Sequence, residues 1–172
     1  MTPRQLRIAA ARIRLLVLDV DGVLTDGRLY YDADGRESKS FHVRDGYGIQ
    51  QVVAAGLQVA VISGRHSPAA AARLAELRIT HVFLGRNDKR PVLDQLLLEL
   101  GIPLDDVAFV GDDVIDLEIM VPAGLGITVA DAHPDVLRAA DWVTAASGGR
   151  GAVREVCDLL LSARQPDAGG KA

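Results

Sequence analysis

The sequence is short of several residue types, and each shortage excludes something. Its 172 residues include one cysteine and one tryptophan, and only 4% are aromatic. A single cysteine rules out an intramolecular disulfide and suits a reducing compartment. So few aromatics leave no stacking platform for the bases of a nucleic acid. Positive charge is not in excess: 19 Lys and Arg stand against 23 Asp and Glu, a net charge of -4, so there is no overall basic field for a polyanion. No apolar run approaches the about 18–20 residues that span a bilayer. Arg4, Arg7, Arg12 and Arg14 precede an apolar run, Leu15–Leu18, that is too short for a signal peptide and ends in Asp19. The expectation is a cytoplasmic protein that engages neither membrane nor nucleic acid, with the N-terminal arginines on a solvated helix face.

What remains is ordinary for a folded protein: 49% hydrophobic and 24% charged residues. The length predicts a single domain over residues 1–172. Short apolar runs recur at Ile13–Leu18, Leu57–Ile62, His81–Leu84, Val107–Val110, Leu125–Val129 and Trp142–Thr144. They are rich in Val, Ile and Leu and mostly do not alternate, which is the pattern of parallel strands buried on both faces. Helical periods lie between them. One starts at Asp45 and puts Ile49, Val52 and Val53 on one face. Ser67-Pro68 reads as an N-cap and first-turn proline of a helix ending near Leu77. Leu93, Leu96, Leu97 and Leu100 share a face and stop at Gly101. Val153, Val156, Cys157, Leu160 and Leu161 do the same in a last helix, with Cys157 as a packed core thiol. The alternation predicts an α/β fold, a three-layer Rossmann-like sandwich with a mainly parallel sheet.

One stretch interrupts it. Residues 28–43 hold Leu29-Tyr30-Tyr31, the turn signal Asp32-Ala33-Asp34-Gly35 and a second run to Phe41, together a β-hairpin inserted after strand one. An isolated hairpin is only marginally stable, so this one requires a partner surface, such as another subunit. Residues 164–172 read as a flexible tail.

Sites in open α/β sheets lie at the carboxyl ends of the strands. Strand one is followed by Asp19-Val20-Asp21-Gly22-Val23-Leu24-Thr25-Asp26, strand two by Ser63-Gly64-Arg65, and strand three by Asn87-Asp88-Lys89. Strand four is followed by Gly111-Asp112-Asp113 and then Asp116. Asp19, Asp21 and Asp112 together would repel unless a cation sat among them, and hard oxygen ligands favour Mg²⁺. One aspartate can then attack phosphorus, and a second, two residues on, can protonate the leaving oxygen and later take a proton from water. Ser63, Lys89 and loop N–H groups can hold the phosphoryl oxygens. His66, His81 and His133 lack metal-ligand spacing, and His133 before Pro134 reads as a helix cap.

These motifs, in this order, resemble those of the haloacid dehalogenase phosphatase superfamily. Phe41–Ile49, Val61–Arg65, Phe109–Leu117, Val129–Pro134 and Gly148–Leu161 are similar to the 3-deoxy-D-manno-octulosonate 8-phosphate phosphatases within it. The resemblance covers about Arg14 to Leu161. It implies a Mg²⁺-dependent enzyme that forms an aspartyl-phosphate and acts on a sugar acid phosphate in lipopolysaccharide precursor synthesis. Asp19 resembles the family nucleophile and a metal ligand. Asp21 resembles the general acid/base, which gives the metal its backbone carbonyl, and Asp112 the third protein ligand. Asp113 and Asp116 resemble supports of the metal site, and Ser63 and Lys89 the phosphate-stabilising pair. His42, Val43, Arg44, Asp45, Gly46, Arg65 and Arg73 fall where the family contacts substrate. Gln50 departs from relatives that are often basic there, and related cap-less enzymes act on nine-carbon sugar acid phosphates. The resemblance also implies no large cap domain, and a homotetramer in which hairpins meet and a neighbour covers the site. Two readings of other classes compete. A phospho-accepting receiver would carry its lysine after its last strand, not ahead of the Asp112-Asp113 pair. A non-catalytic interaction protein would not need the complete catalytic set.

Overall fold

The computed structural model describes residues 1–165. Six strands form one sheet: β1 (Leu15–Leu18), β4 (Gln58–Ser63), β5 (His81–Leu84), β6 (Val107–Val110), β7 (Leu125–Thr128) and β8 (Trp142–Val143). Their order is β5-β4-β1-β6-β7-β8, and every neighbouring pair is parallel. The order reverses at β1, so the crevice between the ends of β1 and its flanking strands is where a ligand site is expected.

The central strands are apolar throughout because both faces are covered. In β1, Leu16 and Leu18 pack into one core while Leu15 and Val17 pack into the other. The first core is roofed by α2 (Val43–Ala54), α3 (Pro68–Glu76) and α7 (Ala152–Arg164), with α1 (Pro3–Arg12) at its margin. The second is roofed by α4 (Lys89–Leu100), α5 (Leu117–Met120) and α6 (Pro134–Ala139). This is the expected three-layer sandwich. Cys157 is fully buried in the first core, where burial pushes its thiol up, out of the reactive range.

Helix ends follow their caps. The Ser67 side chain accepts from Ala70 N at 3.3 Å, with Pro68 next in line. Gly101 closes α4 at φ +60°, a conformation that favours glycine. His133 caps α6 by accepting at Nδ1 from Asp135 N, 3.2 Å away. Two boundaries differ from expectation. α2 begins at Val43 rather than Asp45, because His42 is its extended N-cap residue and makes no side-chain cap bond. α7 runs through Arg164, whose guanidinium donates to the Ile13 carbonyl. Arg164 is therefore helix and not tail, and residues 166–172 lie outside the described residues.

The hairpin is present but brief. β2 (Tyr30–Tyr31) pairs with β3 (Glu37–Ser38), and Asp32 Oδ1 accepts from Asp34 N at 2.9 Å and Arg36 N at 2.8 Å to close the turn. Its support comes from its own chain: Glu37 accepts from the Ser67 hydroxyl at 2.6 Å and from Arg65, and Lys39 reaches Asp21. Leu29, Tyr30 and Tyr31 stay exposed.

Phe109 of β6 is fully buried in the second core. Phe109→Ala is expected to cost about 3–5 kcal/mol of folding stability. Urea unfolding would show this as a lowered midpoint at unchanged slope, and a loss under about 1 kcal/mol would mean the core is looser than described.

Candidate active site

The site is assembled from the carboxyl ends of β1, β4 and β6 and the N-terminus of α4. Asp19 continues β1, its N–H donating to Val110 O at 3.0 Å, and is 7% exposed. The loop after it is folded on one carbonyl: Val20 O accepts from Leu24 N at 2.9 Å and Thr25 N at 3.0 Å. The buried Thr25 hydroxyl donates to the same carbonyl and accepts from Gly27 N at 3.3 Å. Within that loop Gly22 has φ +87°, and a Cβ there would lie 2.0 Å from Asp112 Oδ2, so this position has to be glycine for the two loops to meet.

Lys89 is the first residue of α4 and is 3% exposed. Its Nζ lies 2.7 Å from Asp116 Oδ1 and 3.1 Å from Asp19 Oδ1. The other oxygen of the fully buried Asp116 accepts from Asp112 N at 3.1 Å and Asp113 N at 3.3 Å. Both Asp116 oxygens are thus occupied, one by Lys89 and one by the loop that carries Asp112.

Charge is unbalanced here. Three carboxylates, those of Asp19, Asp112 and Asp116, bring oxygens within 4.8 Å of one another, against the one ammonium of Lys89. Burial raises the Asp112 carboxyl to about 7, with the neighbouring Asp19 and Asp116 adding to it. Burial raises Asp19 to about 6, although Lys89 pulls the other way. Burial works against the Lys89 ammonium, but Asp19 and Asp116 outweigh it and hold its pKa above the ordinary lysine value. The donor set fits a hard divalent cation. It consists of oxygens only, its surplus of two negative charges matches one such ion, and Asp19 and Asp112 are the carboxylates whose oxygens are not both taken.

A cavity of about 330 Å³ opens over these groups, lined by Asp19, Asp21, Ser63, Arg65, Asn87, Lys89, Asp112 and Asp113 among others. A hollow of about 410 Å³ beside Phe83 and Gln95 is larger but holds none of the paired carboxylates. Ser63 ends β4 and is 3% exposed. Arg65 is held at the rim by Glu37 and by the Tyr31 hydroxyl at 3.0 Å, with its Nε 3.7 Å from Asp21 Oδ2. The bond from Ser67 is the chief reason that the Glu37 carboxyl falls to about 2.

The remaining substrate candidates are elsewhere. His42, Val43, Arg44, Asp45 and Gly46 sit at the start of α2 and Gln50 in its second half, and none lines this cavity in a single chain. Asp45 is buried and accepts from Arg154 N at 2.8 Å, capping the first turn of α7. Arg73 pairs with Glu76 at 2.8 Å and lies so near Gly46 that a Cβ there would be 2.3 Å from its Nη2. Gln50 is exposed. Sequence reasoning misses Lys39 and Glu37, and it places Asn87 after strand three without giving it a role. Lys39 lies between two serines and carries no signal that sets it apart from a solvated lysine. Asn87 is detectable only from its place at the mouth of α4.

Residues 79–155 match the haloacid dehalogenase-like hydrolase family. Over 155 residues the chain is 51% identical to the 3-deoxy-D-manno-octulosonate 8-phosphate phosphatase KdsC of Escherichia coli K12, covering 90% of this chain and 82% of that one. The chain belongs to that phosphatase family. The family likeness extends to solved structures. A 3-deoxy-D-manno-octulosonate 8-phosphate phosphatase from Yersinia pestis superimposes with a TM-score of 0.91 at 47% identity, over 93% of this chain and 86% of that one. One from Moraxella catarrhalis, in complex with magnesium, phosphate and KDO, superimposes with a TM-score of 0.92 at 40% identity, over 94% and 93%.

The raised carboxyls fix the sign of a pH effect. Between about pH 4 and 7 the folded, ion-free protein holds protons on Asp19 and Asp112 that the unfolded chain releases, so their contribution to stability is present at low pH and is lost as pH rises through 6 and 7. Mg²⁺ competes with those protons. Its affinity is expected to be about tenfold or more weaker near pH 6 than near pH 8, and the rise in Tm that it produces is largest near pH 8. Melting curves with and without Mg²⁺ check this, and an ion effect independent of pH would contradict it.

Proposed function

We propose that this chain is a Mg²⁺-dependent phosphatase that hydrolyses 3-deoxy-D-manno-octulosonate 8-phosphate to the free sugar acid and phosphate, in lipopolysaccharide precursor synthesis. The observation that carries this reading is the buried Asp19, paired to Lys89 at 3.1 Å and facing Asp112 and Asp21 across one cavity. It stands in a chain half identical to named phosphatases of this substrate.

The residues divide the reaction between them. Asp19 attacks phosphorus, the bond to the sugar oxygen breaks, and an aspartyl-phosphate forms. Asp21 gives its proton to the departing oxygen, then takes one from the water that attacks the same phosphorus and releases Asp19. The Lys89 ammonium and the Ser63 hydroxyl hold the phosphoryl oxygens, where charge is densest in the transition state. A Mg²⁺ held by Asp19, Asp112 and the backbone carbonyl of Asp21 would offset the carboxylate charge and admit a phosphate dianion. Asp116 and Asp113 support that arrangement, Asp116 by fixing both Lys89 and the Asp112 loop.

The sugar acid falls to Arg65 and to His42, Val43, Arg44, Asp45, Gly46, Gln50 and Arg73. All but Arg65 lie off the cavity of a single chain, which favours a homotetramer in which a neighbour completes the site. The exposed Leu29, Tyr30 and Tyr31 of the hairpin are suited to such an interface. No helix among the described residues is long and apolar enough to cross a membrane, in keeping with a cytoplasmic enzyme. A nine-carbon sugar acid 9-phosphate is the second reading, and the uncharged Gln50 is the observation that favours it.

Phosphate release with Mg²⁺ separates the two readings. The 8-phosphate of the eight-carbon acid is expected to be turned over faster than nine-carbon acid 9-phosphates, and neutral hexose phosphates more slowly than either. Preference for a nine-carbon acid would move the substrate while keeping the chemistry. No release from any of them by folded protein would overturn the phosphatase reading.

A further inference from the structure

The hairpin delivers to the site a lysine that belongs to none of the four strand-end motifs. Lys39 follows β3 by one residue, and its side chain is fully buried, 0% exposed. A buried ammonium is costly unless it is paired. Its Nζ donates to Asp21 Oδ1 and lies 3.4 Å from Glu37 Oε1. Glu37 is anchored in turn by the Ser67 hydroxyl at the head of α3. Lys39 is therefore fixed from behind by an anchored carboxylate and presents its charge to Asp21.

The result is an asymmetry between the two Asp21 oxygens. Oδ1 is clamped by Lys39. Oδ2 is buried without a hydrogen-bond partner, and Arg65 Nε approaches it only to 3.7 Å. Asp21 itself lines the catalytic cavity. One oxygen is held, and the other remains to exchange a proton.

We propose that Lys39 is a positioning residue of the phosphatase reaction, holding Asp21 by Oδ1 so that Oδ2 meets the leaving oxygen of the sugar phosphate. This rests on the phosphatase reading above and on Asp21 as the proton carrier. In the first half-reaction the Asp19–phosphorus bond forms, the phosphorus–sugar bond breaks, and the Oδ2 proton passes to the sugar oxygen. In the second, Oδ2 takes a proton from the attacking water while the aspartyl-phosphate bond breaks. Lys39 keeps its own protons throughout. The inserted hairpin thereby becomes part of the catalytic apparatus, because proton transfer is oriented only while the hairpin is seated.

A salt bridge that merely pinned the hairpin would affect all substrates alike, whereas in kcat/KM, which reports the steps through cleavage of the bond to the leaving group and not the later attack of water, a clamp on the proton donor affects only leaving groups that need a proton. The test compares kcat/KM for 3-deoxy-D-manno-octulosonate 8-phosphate, whose leaving alkoxide must be protonated, with that for p-nitrophenyl phosphate, whose leaving phenolate need not be. Lys39→Met is expected to lower the first by about 10²-fold. It should change the second by less than about threefold. Lys39→Arg, which keeps the charge and the donor, should recover much of the lost ratio. Equal losses on both substrates, or no loss on either, would overturn the proposal. If the Met variant does not fold, Lys39→Gln replaces it in the same comparison: a selective loss on the sugar phosphate supports the clamp, and equal losses or none overturn it. Wild-type protein that releases phosphate from neither substrate would instead overturn the phosphatase reading, so the two failures are distinguishable.

Discussion

Everything at the site turns on the imbalance of charge around Lys89. A buried ammonium shared by Asp116 and Asp19 fixes both carboxylates, yet it offsets only one of the three negative charges gathered there. Two negative charges remain, one of them that of Asp112, whose raised pKa reflects its burial beside Asp19 and Asp116. The fold makes this arrangement possible by bringing β1 and β6 side by side in parallel register, so that Asp19 and Asp112 leave adjacent strand ends. Two glycines permit the approach. Gly22 leaves room for the Asp112 carboxylate, and Gly111 leaves room for that of Asp116.

The polar network extends outward from there. Asp21, two residues beyond Asp19, is the point at which the sheet edge meets the inserted hairpin. Lys39 and Arg65 approach it from different elements, and Glu37 binds both. A stretch that holds only two short paired segments is thus tied to the rest of the chain by ion pairs, together with Phe41, which packs against the first core. Leu29, Tyr30 and Tyr31 of this stretch are exposed.

The framework is legible in the sequence because its signals are local. A run such as Leu15–Leu18 can only be so apolar where both faces are covered, and Ser67-Pro68 and Gly101 mark helix ends through their own backbone chemistry. Asp19, Ser63, Lys89 and Asp112 stand out because each follows an apolar run, and the topology then gathers strand ends into one cavity. The start of α2 lies two residues ahead of the expected Asp45, since Asp45 looks like a helix-starting acid but serves to cap α7, far along the chain. The four-residue α5 is too short to display a helical period. Lys39 is invisible for a different reason. Its burial depends on pairing with Asp21, a contact between two polar loops that no hydrophobic pattern encodes. The candidates at 42–46, 50 and 73 rest on resemblance alone, and a single chain does not bring them to the cavity.

The central claim is that Asp19 forms the covalent bond to phosphorus. Rapid acid quench of the enzyme during turnover with Mg²⁺ and substrate, followed by borohydride reduction and peptide mapping, tests it directly. The account predicts that the trapped modification lies at Asp19 alone and disappears in Asp19→Asn. A modification at Asp21 or Asp112, or its persistence in the Asn variant, would contradict it.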